Sequence, residues 1–180
     1  MSNANNDSRL ETILQLIRDV QDFPKPGILF KDIAPLLGDP TGLALSIDLL
    51  AEMAESMQAD IIAAPEARGF IFGVPLAART GLGFVPIRKP GKLPWRTLSE
   101  TYELEYGTDT VQIHEDAFEK GARVLLVDDL LATGGTMGAC CRLVEKAGAA
   151  VAGCAFVIEL EFLNGREALA PHAVQSLISY

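Results

Sequence analysis

Apolar positions recur along this chain in two rhythms, and the elements they predict alternate. Leu10, Ile13, Leu14 and Ile17 keep helical spacing, so an amphipathic helix is expected from Ser8 to about Asp22, preceded by a polar tail over residues 1–7. Leu43, Ile47, Leu50, Met53, Ala54 and Met57 mark a second helix, entered through Asp39-Pro40-Thr41. Between them "FPKPGILFKDIAP" carries three prolines. It predicts a loop with a short extended piece at Ile28 to Phe30. Short apolar runs then predict strands at Ile61–Ala64, in "GLGFVPIRK", at Arg123–Val127, at Val151–Ile158 and near Val174–Ile178. Helices are expected from about Phe70 to Arg79 and from Thr136 to about Lys146. Tyr102–Tyr106 and Thr110–Ile113 read as a hairpin around Gly107, and His114, ahead of "EDAF", as a helix-start residue.

This alternation predicts an α/β fold with a mainly parallel central sheet flanked by helices. No repeat, low-complexity tract or linker interrupts the chain, and 180 residues suit one domain. In such sheets ligands bind beyond the carboxyl ends of the strands. Two unusual stretches, "PEARGF" and "DDLLATGGT", fall at such ends.

Composition narrows the picture. No apolar stretch approaches the roughly 18 residues of a membrane span, and the polar start has neither the basic residues nor the apolar core of a signal peptide. Cys140, Cys141 and Cys154 form no CxxC and are odd in number, which predicts reduced thiols in a cytoplasmic protein. A net charge of -9 opposes binding to nucleic acid or to anionic membranes. Yet from Ala67 to Ser99 there is no acid, while Arg68, Arg79, Arg88, Lys89, Lys92 and Arg96 all fall there. That clustering is either chance on a solvated face or the site of a small anion.

"VLLVDDLLATGGT" sharpens the choice. It lacks the Lys of a P-loop and the GxGxxG of a dinucleotide fingerprint. Still, Ala132, Thr133, Gly134, Gly135 and Thr136 offer successive backbone N–H groups before a helix, the physical requirement for cradling a phosphate. Asp128 and Asp129 would repel phosphate but accept hydrogen bonds from vicinal hydroxyls. Acids for a sugar and a glycine loop for a phosphate together describe a ribose 5-phosphate. A solvated turn with one capping aspartate explains neither the second acid nor the glycines.

This stretch resembles the phosphoribosyl pyrophosphate (PRPP) signature of the type I phosphoribosyltransferases. "DFPKPGILFKDIAPLLGDP", "EARGFIFG", "RKPGKLP", "LEYGTD" and "GREAL" resemble, in order, the adenine-specific branch of that family. The resemblance implies the type I phosphoribosyltransferase fold, with a small N-terminal hood over the base at about 22–36. It implies transfer of ribose 5-phosphate from PRPP to adenine, giving AMP and pyrophosphate with Mg²⁺ held mainly by PRPP and water. It also implies a homodimer. A sibling enzyme acting on xanthine, hypoxanthine or guanine, or a non-catalytic PRPP-binding regulator, are the alternatives. Carried over residue by residue, Asp128 and Asp129 would take the ribose hydroxyls and Ala132 to Thr136 the 5′-phosphate. The turn Glu66-Ala67-Arg68-Gly69, often with a cis peptide in the family, would take pyrophosphate through Arg68. Pro65 departs from the small or branched residue expected there. Phe30 would stack on adenine, with backbone groups around Leu29 and Lys31 reading its edge; by spacing alone Phe30 reads as an ordinary core aromatic. Lys89 to Thr101 would form a mobile lid bringing Arg88, Lys89 or Lys92 to the leaving group. Glu105, as acid or base, and Tyr106 match the family's catalytic pair. No Ser/His/Asp or Cys/His set stands out, and His114 and His172 are too scattered for a metal cage.

Overall fold

The computed structural model describes residues 2–103 and 107–180, without the side chains of residues 2–5. Two compact units are present, residues 1–49 and 50–180.

In the first unit, α1 (Ser2–Gln15) is followed by a two-stranded antiparallel ribbon of β1 (Arg18–Gln21) and β2 (Leu29–Asp32). The helix therefore starts inside the segment expected as a tail and stops well before Asp22. Its early end has a physical cause: residues 18–21 exchange ladder hydrogen bonds with 29–32, from Arg18 opposite Asp32 to Gln21 opposite Leu29. Arg18 also pairs with Asp32 across that ladder. A short α2 (Ala34–Gly38) leads to α3 (Pro40–Ser56), within which the division between the units falls. Asp39 Oδ1 accepts from the Gly42 N–H at 2.7 Å, satisfying a free donor of the first turn.

The second unit is built on a five-stranded parallel sheet in the order β4-β3-β7-β8-β9. These strands are β3 (Ile61–Pro65), β4 (Gly83–Ile87), β7 (Arg123–Leu131), β8 (Ala150–Glu159) and β9 (Val174–Ser179). From β3 the chain crosses through α4 (Gly69–Thr80) to β4 on one side. From β7 it crosses through α5 (Gly135–Lys146) to β8 on the other. With right-handed crossovers, opposite directions of travel place α4 and α5 on opposite faces. Strands covered on both faces must be apolar throughout, and Val124, Leu125, Leu126 and Val127 are fully buried. Val124 and Leu126 join a core cluster with Met137, Leu143 and Val144 of α5. The expected parallel α/β architecture is the observed one.

Three expectations change in detail. β7 runs through the acid pair to Leu131 because β8 extends alongside it and keeps pairing, Leu131 opposite Glu159. β5 (Thr97–Glu103) and β6 (Thr108–His114) form a hairpin longer than expected, so residues 97–101 of the expected lid are strand. His114 pairs with Thr97 and ends β6, and turns rather than a helix follow it. Among the described residues no helix is long and apolar enough to cross a membrane.

Candidate active site

β3 and β7 are neighbours from which the chain departs in opposite directions, so a crevice opens at their carboxyl ends. Two adjoining clefts, of about 230 and 400 Å³, occupy this position. Arg68, Asp128, Asp129 and Thr136 line both.

The smaller cleft is the glycine loop. Ala132, Thr133 and Gly134 connect β7 to α5, and Gly135 and Thr136 form the helix's first turn. Gly134 sits in the left-handed region at φ +82°, and a Cβ there would lie 2.5 Å from the Gly165 carbonyl oxygen. Only glycine meets both demands. Gly165 repays the contact, since its own Cβ would meet the Ala132 carbonyl oxygen at 2.3 Å. α6 (Gly165–Leu169) thereby braces the loop. Beside it Glu159, only 3% exposed, takes Arg166 on both carboxylate oxygens and the Ser176 hydroxyl at 2.6 Å. Hydrogen bonding from Arg166 holds the Glu159 carboxyl below its ordinary range. The sequence offered "GREAL" only as a resemblance, and its bracing role needed the fold.

The acids sit between the loop and the β3 turn. Asp129 is buried, with Oδ2 3.0 Å from Arg68 Nε. Asp128 is partly exposed and accepts the Asp129 N–H at 2.9 Å. Burial pushes both carboxyls up. The charge of Asp129 lifts Asp128 further, and Arg68 opposes the rise at Asp129. The pair is thus an expensive place for two negative charges, the condition that rewards hydroxyl donors.

The turn after β3 closes the larger cleft. Pro65 completes β3 opposite Ile87, and in the turn that follows the Glu66–Ala67 bond is cis, as the family resemblance implies for this turn. Gly69 starts α4, where a Cβ would stand 3.0 Å from the Val127 carbonyl oxygen and 3.1 Å from Asp128 Oδ1. Glu66 pairs with Arg88 and accepts the Lys89 N–H at 2.8 Å. Burial raises the Glu66 carboxyl, but these partners outweigh it and hold it below its ordinary range. Lys89 lines the larger cleft with Tyr102 and Asp109, two residues that spacing did not single out. The exposed Lys92 lies on the segment between Lys89 and β5. Glu105 and Tyr106 lie outside the described residues.

Leu29, Phe30 and Lys31 all fall on β2 of the first unit. Phe23 packs edge-on to Phe30 with ring centroids 5.0 Å apart, and the buried Lys31 ammonium pairs with Asp19 at 2.7 Å. Cys140, Cys141 and Cys154 are free and buried, as core thiols should be.

Comparison with known proteins agrees with this geometry. The family described as phosphoribosyl transferase domain matches residues 36–173. An adenine phosphoribosyltransferase of Desulfitobacterium hafniense is 57% identical over 91% of this chain and 95% of its own. The crystal structure of adenine phosphoribosyltransferase from Thermoanaerobacter pseudethanolicus is 56% identical and superposes with a TM-score of 0.91, covering 95% of this chain and 99% of that one. That of the Saccharomyces cerevisiae enzyme, complexed with adenine and an imino-altritol bisphosphate, is 38% identical with a TM-score of 0.90 over 95% and 99% of the two chains.

Proposed function

This chain belongs to the phosphoribosyltransferase family, within it to the adenine phosphoribosyltransferases, and from that premise we propose how its residues carry the reaction. Adenine and PRPP give AMP and pyrophosphate, a step of purine salvage. The N9–C1′ bond forms, the bond from C1′ to the pyrophosphate oxygen breaks, and the N9 proton leaves the base. Charge develops as an oxocarbenium-like sugar and an anionic leaving group, so position and electrostatics matter more than a protein nucleophile.

The observation that carries this reading is the meeting of an acid pair, a glycine loop and the Arg68 turn in one crevice. Asp128 and Asp129 accept the ribose 2′- and 3′-hydroxyls. The N–H groups of residues 132–136 and the positive end of α5 take the 5′-phosphate. Arg68 exchanges Asp129 for a pyrophosphate oxygen pair, its planar fork suiting that geometry. Lys89, Lys92 and Tyr106 add to the PRPP site as residues 89–96 and the hairpin close. Glu105 manages the purine's ring proton. The hood, about residues 22–36 and including β2, serves adenine, with Phe30 as stacking surface and Leu29 and Lys31 as backbone readers.

Mg²⁺ fits this chemistry. The carboxylates lining the cleft are hard oxygen donors of the kind that suit this ion, which PRPP phosphates and water would chiefly carry. When bound, it supplies charge neutralisation at the leaving pyrophosphate. Three free, buried thiols support a reducing, cytoplasmic setting, and the family resemblance supports a homodimer.

Incubating the protein with Mg²⁺, PRPP and each purine base tests the reading. AMP from adenine alone is expected. Product from a 6-oxopurine alone would overturn it, and PRPP binding without turnover would leave a regulator.

A further inference from the structure

A hydrogen-bonded chain in the larger cleft links two residues of the PRPP site, Thr136 and Lys89, through Tyr102 and Asp109, which have no role assigned so far. Thr136, whose hydroxyl belongs to the phosphate loop, donates from Oγ1 to the Tyr102 hydroxyl at 3.0 Å. Tyr102, only 6% exposed, donates in turn to Asp109 Oδ2 at 3.1 Å. The Lys89 ammonium pairs with that same oxygen and stands 5.8 Å from the Tyr102 ring centroid. The other oxygen, Oδ1, accepts the Thr110 N–H at 2.8 Å. Tyr102 and Asp109 face each other across the hairpin. The chain of donors therefore ends on one carboxylate, which Tyr102 and Lys89 reach directly and Thr136 only through Tyr102, and that carboxylate is held at both oxygens. Lys89 holds the Asp109 carboxyl below its ordinary range, so it is anionic at neutral pH.

Both cations lining this cleft, Arg68 and Lys89, face carboxylates of the protein, Asp129 and Asp109. Asp129 has a sugar to receive; Asp109 has none. Resting on the phosphoribosyl transfer reading, we propose that Asp109 is a positioning residue that tempers the cleft's affinity for pyrophosphate by competing for the Lys89 ammonium and the Tyr102 hydroxyl. A phosphate group must share or displace Asp109 to reach these donors, and Asp109 reclaims them as product leaves. Binding is weakened in the interest of release, because affinity common to substrate and product does not accelerate chemistry.

Inhibition by pyrophosphate tests this. Asp109→Asn removes the charge and keeps the shape, and Asp109→Ser serves as a second removal. Either folded variant should bind pyrophosphate roughly three- to fivefold more tightly, the contribution expected of a part-exposed ion pair. The KM for PRPP should fall alongside, with kcat no higher. Asp109→Glu, which restores the charge, should return the inhibition constant towards the wild-type value. Circular dichroism and Tm establish that each variant is folded. An unchanged or weaker pyrophosphate affinity in a folded removal variant overturns the proposal, since a merely structural role predicts loss. Equal tightening by Asp109→Glu overturns it too. Wild-type AMP formation from adenine is measured in parallel: its absence sinks the transfer reading, whereas an unaltered inhibition constant in active variants sinks only the role of Asp109.

Discussion

Arg68 Nε lies 3.0 Å from Asp129 Oδ2, joining the turn after β3 to the acid pair of β7 across the crevice. The two are far apart in sequence and belong to different motifs. Their contact brings the turn after β3 and the acid pair of β7 into one site.

Replacing Arg68 by lysine keeps the charge but loses the planar fork. Steady-state kinetics should show kcat/KM for PRPP falling by about 10²-fold, the usual cost of one donor aimed at developing charge. Arg68→Ala should lose more, and neither change should move Tm by more than a few degrees.

Asp128 separates stability from function. Its folded pKa is raised, so the folded protein holds a proton that the unfolded chain releases near the ordinary aspartate value. Stability from that proton is complete below the unfolded value and is lost as pH rises through the folded value. Asp128→Asn should therefore raise Tm at neutral pH, by about 2–4 °C for each kcal/mol recovered. The gain should vanish in acid, where wild type and variant are alike. Thermal melts across pH check this, with activity on PRPP falling in the same variant.

Glu159 has the opposite sign. Its lowered pKa contributes stability that is present above the unfolded glutamate value and lost as pH falls through the folded one. Glu159→Gln should lower Tm by several degrees at neutral pH, and the deficit should shrink in acid. Because the Glu159–Arg166 pair adjoins the glycine loop, the KM for PRPP should rise as well.

Gly134→Ala would place a methyl 2.5 Å from the Gly165 carbonyl at a positive φ. The strained backbone alone costs about 1–3 kcal/mol. PRPP binding by calorimetry should weaken severely. Gly165→Ala should do the same from outside the glycine loop, because its Cβ would press on the Ala132 carbonyl oxygen.

The legible part of this site was local. In "VDDLLATGGT" the acids, glycines and following helix lie within one strand-loop-helix unit, so spacing alone places them. The Arg68 turn was equally readable, because a strand, a charged residue and Gly69 stand in order. What sequence could not give was long-range. Gly134 and Gly165 brace each other across intervening β8, and Tyr102 meets Asp109, Lys89 and Thr136 only once three elements converge. Residues 97–101 were misread as loop because "TLSET" is polar, and its strand character comes from pairing with residues 110–114. The first helix was overrun for the same reason, since the 18–21 ladder depends on partners beyond a proline-rich loop.

The central claim is that Asp128 and Asp129 hold the ribose of PRPP. The most direct test is kcat/KM for PRPP, with adenine saturating, in the double variant Asp128→Asn plus Asp129→Asn, after melts confirm a folded protein. A loss of at least about 10²-fold is predicted, two ionic hydrogen-bond acceptors having been made neutral. A folded double variant that kept the wild-type kcat/KM would contradict the ribose assignment.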